Sequence, residues 1–152
     1  MTHVSEPGPL PRISVRNLQR TLAVSVIDLE EFAARALRDC MQLHKRRPAN
    51  LTGLHEIFVW LVSDRRMATL HRQFLNQRGP TDVLTFQHGE IFISAETARR
   101  QAQVFRSSLA RELRLYIVHG LLHLHGFDDR KQADAQKMEE AQEKILLQLA
   151  DE

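Results

Sequence analysis

The sequence has a single cysteine, Cys40, among its 152 residues, so it cannot form a disulfide within the chain. This is typical of proteins in a reducing compartment, and we expect a cytoplasmic protein. No apolar run approaches the roughly 18 residues of a membrane span, so we expect no membrane partner. The first residues, MTHVSEPGPLPR, also lack the pattern of a secretory signal. We expect residues 1–12 to be a flexible leader and residues 13–152 to form one domain.

Composition indicates a globular protein and says little about its partner. Hydrophobic residues make up 43% of the chain, which argues against general disorder. The formal net charge is +2 and the pI is about 9.0. This mildly basic balance is compatible with an RNA partner but does not by itself indicate one. The sequence shows no internal repeat, low-complexity tract or domain linker.

Hydrophobic periodicity predicts alternating strands and helices. Residues 57–62 read IFVWLV, a continuous apolar run typical of a strand buried on both faces. Residues 81–86 and 90–94 predict two strands with a tight connection, and residues 13–18 predict a short edge strand. Helices are expected from Asp28 to residues 45–48, from Ser63 to Leu75, after Ser94, over residues 108–125 and over residues 131–149.

Polar residues at the helix starts, and apolar stripes within the helices, refine these expectations. Asp28 and Glu31 form a D-x-x-E variant of the capping box, which favours Asp28 as an N-cap. We expect the following side chains to face inward: Leu29, Phe32, Ala33, Ala36, Leu37, Cys40, Met41, Met67, Leu70, Phe74, Ala98, Ala102 and Phe105.

The segment HGLLHLHGFDD, residues 119–129, contains the most specific signal in the chain. His119 and His123 are four residues apart, so they project from one face of a helix and can converge on one metal ion. Gly126 can adopt positive φ and turn the chain back, which lets Asp129 return as a third ligand. Asp128 is an alternative third ligand, or it orients the turn. Three protein ligands with an open position are typical of a catalytic zinc site.

Neighbouring positions limit the chemistry of this site. Zinc proteases of the H-E-x-x-H type carry a glutamate base directly after the first histidine, and here that position is Gly120. On the same helix, Glu112 and Tyr116 share a stripe with the two histidines, and we expect that stripe to face a cleft. His125 points elsewhere, and among the remaining histidines only His88 is expected near the cleft.

The sequence resembles the YbeY family of bacterial endoribonucleases in three motifs: HGLLHLHGFDD, TDVLTF and GEIFIS. The resemblance covers roughly residues 55–147. It implies a single α/β (α+β) domain, with a small mixed four-stranded sheet, five or six flanking helices and a metal site in a cleft. It also implies a metal-dependent, single-strand-specific endoribonuclease acting in ribosomal RNA maturation and ribosome quality control. The expected cofactor is one zinc ion, catalysis would run through His119, His123 and Asp129, and the partners would include the small ribosomal subunit and assembly factors.

Three positions depart from the family pattern. Asp129 replaces the usual histidine ligand, Glu90 replaces an aspartate, and Leu75 stands where an arginine usually follows an aromatic residue. We therefore consider Arg72 or Arg78, with Asp82, as substrate-binding residues; these arginines could equally form a solvated face. The alternatives to an RNA-cleaving enzyme are an RNA-binding ribosome-assembly factor with weak or no catalysis and, less favoured, a metalloprotease.

Overall fold

The computed structural model describes residues 10–43, 51–75 and 81–150, and within them strands and helices alternate as the periodicity predicts. A short 3-10 turn at Leu51–Gly53 precedes the second strand. The strands are β1 (Arg12–Asn17), β2 (Glu56–Val62), β3 (Val83–Phe86) and β4 (Glu90–Ser94). The helices are α1 (Val26–Met41), α2 (Asp64–Leu75), α3 (Ala95–Val104), α4 (Leu109–Leu124) and α5 (Gln132–Ala150).

The four strands form one mixed sheet in the order β1-β2-β4-β3. β1, β2 and β4 run parallel. β3 pairs antiparallel with β4 through a tight turn that ends at Gly89, whose φ is +110°. The sheet therefore has β1 and β3 as its edge strands. The expectation of a small mixed four-stranded sheet in an α+β domain is confirmed.

One face of the sheet forms the main core. Val59 and Leu61 of β2 and Ile91 and Ile93 of β4 are fully buried in a single cluster with side chains of α1, α4 and α5. Cys40 lies in this cluster, where burial raises the pKa of its thiol to about 12. The cysteine is therefore a core residue, as its place on the α1 stripe predicts.

The other face of the sheet is only partly covered, which corrects the expectation that β2 is buried on both faces. Phe58 and Trp60 alternate with the core residues of β2 and are half-buried. Of the described helices, only α2 contributes to the small cluster on this side, with Met67 and Leu70. The run IFVWLV resembles a strand buried on both faces because Phe58 and Trp60 are as apolar as the core residues between them. Both aromatic side chains nevertheless remain partly exposed to solvent.

Serine hydroxyls cap the first four helices. Ser63 and Ser94 precede α2 and α3, and their hydroxyls accept hydrogen bonds from the backbone N–H groups of Arg66 and Thr97, as expected. The expectation for α1 is wrong. Ser25 is its N-cap, and Asp28 donates its backbone N–H to the Ser25 hydroxyl. The Ser25 hydroxyl accepts a backbone N–H of the first turn, so the N-cap lies three residues before the position that the D-x-x-E pattern predicts.

Two aromatic side chains expected inside are exposed. Phe74 lies in the last turn of α2, and Phe105 is the C-cap of α3, where the helical spacing no longer places it over the core. α1 ends at Met41, and residues 45–48 lie outside the described residues. Within the described ranges, no helix combines the length and the apolarity needed to cross a membrane.

Candidate metal centre

Helix α4 holds the two histidines of the motif above the sheet. Ser108 caps the helix by accepting a hydrogen bond from the Arg111 N–H, and the inner side chains of the helix are buried in the core. This packing fixes the rotation of α4 about its axis. His119 and His123 therefore lie side by side on its outer face, each half-buried.

The chain then reverses and returns a carboxylate to the same place. His125 ends α4, and Gly126 adopts φ +96°, a conformation that glycine reaches without a steric penalty. The turn carries Asp129 back, with its Oδ2 at 3.7 Å from Nε2 of His119 and 3.6 Å from Nε2 of His123. The ligand atoms of these three residues all lie within 4.8 Å of one another.

The other ring nitrogen of each histidine has its own partner. Nδ1 of His123 lies 3.1 Å from the carbonyl oxygen of Phe127, and Nδ1 of His119 lies 3.0 Å from Oε1 of Gln142. Both partners are acceptors, so each neutral ring carries its proton on Nδ1 and directs the Nε2 lone pair toward the other histidine.

The two Nε2 atoms are 3.1 Å apart. Two lone pairs at this distance repel each other unless a cation lies between them. Two nitrogens bound to one tetrahedral zinc at about 2.0–2.1 Å would lie roughly 3.3 Å apart. His119, His123 and Asp129 therefore fit a divalent ion, both in their donor atoms and in the orientation of their rings.

Burial prepares His123 for this role. Removal from water lowers the pKa of His123, and the nearby His119 lowers it further, while Asp129 acts in the opposite direction. A histidine must be neutral to bind a metal. The environment therefore favours the ligating form of His123 near neutral pH.

Position 120 does not face the metal ligands. A Cβ atom on Gly120 would lie 2.7 Å from Cγ2 of Ile91, so this side of α4 packs directly on the sheet. A glutamate there would be driven into the core and could not act as the base of a metalloprotease. The geometry thus agrees with the sequence-based argument against that class.

Three other candidates have different partners. The Asp128 carboxylate accepts hydrogen bonds from the backbone and the guanidinium of Arg130, so it orients the turn. Nε2 of His125 lies 2.9 Å from the carbonyl oxygen of Leu43 on the buried side of α4. His88 stacks on Phe86, and its side chain is 67% exposed. None of the three belongs to the candidate metal-binding group.

The expectation that Glu112 and Tyr116 face a cleft is wrong. Both side chains are buried, and they share a hydrogen bond. Burial raises the pKa of the Glu112 carboxyl, and it raises the pKa of the Tyr116 hydroxyl as well. The stripe on α4 is therefore accessible only at its C-terminal half, where the histidines lie.

The structure describes two of the three proposed substrate-binding residues, Arg72 and Asp82. Arg72 is exposed in the last turn of α2. Asp82 precedes β3, where its carboxylate accepts the Val83 N–H at 2.8 Å, which is the role of a turn residue. Arg78 lies outside the described residues. Among the described residues, Asp82 is not part of the candidate metal-binding group.

Sequence reasoning missed two positioning groups, Gln142 and the carbonyl of Phe127. No sequence pattern predicts that the backbone carbonyl of Phe127 would accept a hydrogen bond from His123. Gln142 does carry a weak signal, because it follows Ala141 at the border of the apolar face of α5. A polar side chain at such a border can reach a neighbouring helix.

Known proteins with similar sequences and folds support the interpretation of the site. A model of the family described as Endoribonuclease YbeY matches residues 14–150. A curated Endoribonuclease YbeY of an Anaeromyxobacter species is 38% identical over 111 residues, which cover 64% of this chain and 58% of that protein. One from Thermus thermophilus is 38% identical over 102 residues, covering 59% of this chain and 73% of that protein. A Thermotoga maritima protein with a solution structure shares the fold, with a TM-score of 0.60, 23% identity, and coverage of 91% of this chain and 92% of that one.

Proposed function

The chain belongs to the YbeY endoribonuclease family, and from this premise we propose that it is a metal-dependent enzyme that cuts single-stranded RNA. Its proposed substrate is ribosomal RNA, in maturation and quality control of ribosomes in the cytoplasm. The proposed partners are the small ribosomal subunit and its assembly factors. The matching relatives, which carry the name of an endoribonuclease, support this proposal.

One observation carries the proposal: His119, His123 and Asp129 direct two imidazole lone pairs and a carboxylate at one point. Nitrogen and oxygen donors of this kind suit zinc, so we propose one zinc ion per chain. When bound, such an ion stabilises charge on a phosphoryl oxygen and makes a bound water more acidic.

The chain's own residues orient these ligands and leave access to solvent. Phe127 and Gln142 fix the two imidazoles from behind, while the Asp129 side chain is 47% exposed. Asp129 adds one negative charge, which makes the ion a weaker Lewis acid than a third histidine would. Position 120 supplies no base. RNA carries a 2′-hydroxyl of its own, so the substrate itself offers a nucleophile.

The direct test is metal content followed by RNA cleavage. The purified protein is expected to hold one equivalent of zinc and to cut single-stranded RNA, and a chelator is expected to stop the reaction. His119→Ala with His123→Ala should remove the metal, whereas His55→Ala, on the exposed approach to β2, should retain it. Full metal occupancy in the double variant would contradict the ligand assignment. Stoichiometric metal with intact RNA would favour the RNA-binding assembly factor instead.

We also propose that Arg72 or Arg78 holds phosphates of the RNA, in place of the arginine that the family has at the position of Leu75. A basic side chain near a bound cation attracts a polyanion, and that attraction weakens with salt. Arg72→Gln with Arg78→Gln should weaken RNA binding and flatten its salt dependence while metal content stays unchanged. Arg38→Gln, an exposed arginine on α1, is the matched control. An unchanged affinity and salt slope would place the RNA path elsewhere.

A further inference from the structure

A row of aromatic side chains crosses the sheet face opposite α4. The rings of Phe58 and Trp60 on β2 have centroids 5.5 Å apart and planes 21° apart. The Trp60 ring continues to Phe92 on β4, at 6.3 Å and 23°. Phe86 on β3 meets Phe92 edge-on, at 90°. The three near-parallel rings thus form a short stack that is closed at the Phe92 end and has no further ring contact at Phe58 among the described residues.

Strand β1 places positive charge beside the open end of the stack. In the parallel register, Ser14 lies opposite Phe58 and Arg16 opposite Trp60, so their side chains share one face of the sheet. Arg12, two residues earlier, lies on the same face opposite Glu56. Ser14 is small and leaves room beside the Phe58 ring. The exposed side chains of Arg12 and Arg16 form no ion pair within the described ranges.

The packing of α2 leaves this end of the face accessible. Met67 and Leu70 of α2 cluster with Val62 and Leu84, at the far ends of β2 and β3. Phe58 lies outside that cluster and remains half-buried. Trp60 and Phe92 pack against that cluster and are half-buried, so α2 covers the inner part of the stack and the accessible end is Phe58.

We propose that the face formed by Phe58, Trp60, Arg12 and Arg16 binds single-stranded RNA by stacking its bases. The proposal rests on the proposed function and names a part of the substrate site distant from the metal ligands. Every nucleobase has a flat π surface that can extend such a stack, and arginines hold the phosphates between bases. Two carboxylates share this face: Glu56 is the register partner of Arg12, and Glu90 is the register partner of Phe58. The positive charge that no carboxylate opposes in the register is therefore that of Arg16, beside Trp60.

The stack and the metal centre lie on opposite faces of the sheet, near the same end of the β3–β4 hairpin. Gly120 of α4 packs on Ile91, whose register partner is Thr85. The next pair along the hairpin is Phe86 and Glu90. Because β3 is an edge strand, an RNA strand that binds both faces of the sheet would pass around β3.

Trp60 is the only tryptophan in the chain, so its fluorescence reports directly on this face. The intact protein is titrated with a single-stranded oligouridine RNA and with inorganic polyphosphate, which has charge but no bases; the RNA is sized afterwards to account for cleavage. We expect RNA to quench Trp60 in a saturable manner and polyphosphate to leave the emission unchanged. Phe58→Leu should weaken RNA binding on the order of tenfold, and Arg16→Gln should flatten its salt dependence.

Matched variants separate this proposal from general effects. Phe105→Leu removes an exposed aromatic ring from the end of α3, and Arg38→Gln removes an exposed charge from α1; both should bind RNA like the parent. The stacking site is overturned if the protein cleaves RNA while Trp60 emission stays unchanged and Phe58→Leu binds RNA as tightly as the parent. That result would leave the proposed function standing. Absence of both RNA binding and RNA cleavage in the parent would instead remove the proposed function. The face could instead be a contact between two copies of the chain. In that case Trp60 emission would change with protein concentration and light scattering would give a doubled mass, and this result would overturn the proposal.

Discussion

The side-chain oxygen of Gln142 on α5 lies 3.0 Å from Nδ1 of His119 on α4. This contact joins two helices and directs the opposite ring nitrogen of His119 toward His123. Groups behind a metal ligand fix its tautomer and raise its basicity, and their loss commonly costs 10–100-fold in metal affinity or activity. The structure therefore assigns Gln142 a positioning role that the surface-like sequence of α5 does not suggest.

Replacing Gln142 with leucine should lower zinc affinity by about 10–100-fold without unfolding the protein. The two side chains are similar in size, but the acceptor for the Nδ1 proton is lost. Competition with a chromophoric chelator measures the affinity, and nitrogen NMR of the metal-free protein measures the tautomer of His119. Gln142→Glu should keep the tautomer and the affinity, and Gln148→Leu, exposed on the same helix, should change neither. An unaltered tautomer in Gln142→Leu would contradict the positioning role.

Asp129→His should preserve or tighten metal binding and leave the fold intact. Histidine is the usual residue of the family at this position, and the exposed side chain of Asp129 leaves space for a larger ring. A neutral ligand also leaves the ion a stronger Lewis acid. Metal titration and thermal unfolding check both parts. Asp128→His, which breaks the contact with Arg130 instead, should give no gain in affinity. Complete loss of metal in Asp129→His would contradict this prediction and would mean that the geometry at position 129 is unlike that of the family.

Gly120→Ala should destabilise the protein by about 1–3 kcal/mol, because the new methyl group enters a packed core. Its Cβ would lie 2.7 and 2.9 Å from two carbons of Ile91. Alanine favours a helix over glycine by about 1 kcal/mol, which offsets only part of this cost. Gly53→Ala is the control, since nothing lies within 4 Å of its Cβ. Denaturant unfolding measures both, and Ile91→Ala in the same chain should make the Gly120 substitution less harmful. A fully stable Gly120→Ala would contradict the close packing.

The sequence predicted the elements and the proximity of the three candidate metal ligands because both follow local patterns. Spacing of four residues and a glycine with positive φ determine how His119, His123 and Asp129 meet, and the structure brings these three together. Alternation and turn residues likewise predict β3 and β4. The N-cap of α1 was predicted at Asp28 and is Ser25. Both residues are favourable N-caps within one turn, and local preference alone does not decide between them.

What the sequence did not predict depends on contacts between distant segments. Gln142 acquires its role only when α5 packs beside α4, 23 positions along the chain from His119. Glu112 and Tyr116 share the histidine stripe, yet packing buries them and leaves the histidines accessible. The aromatic row arises from the strand order, which places Phe92 beside Trp60. No periodicity within one segment contains that information.

Asp64 at the start of α2 joins α2 to α3, and its protonation should influence stability in acid. Its carboxylate accepts hydrogen bonds from Ser94, from Thr97 at 2.7 Å and from Arg100 at 2.6 Å. Burial alone would raise the pKa of Asp64, but these hydrogen bonds hold it below its usual value. A carboxyl with a lowered pKa in the folded state stabilises the fold above its unfolded pKa of about 4 and loses that contribution as the pH falls through the folded value.

Asp64→Asn should therefore lower the free energy of unfolding by about 1–3 kcal/mol at neutral pH, because charged hydrogen bonds are lost. The difference between parent and variant should shrink as the pH falls below about 4, where the parent carboxyl becomes protonated. Urea unfolding at several pH values, with a chelator present so that metal release does not contribute, measures this dependence. Glu31→Gln, an exposed carboxylate on α1, should show little effect at any pH. A difference that stays constant down to the lowest pH would mean that Asp64 contributes through packing and not through its charge.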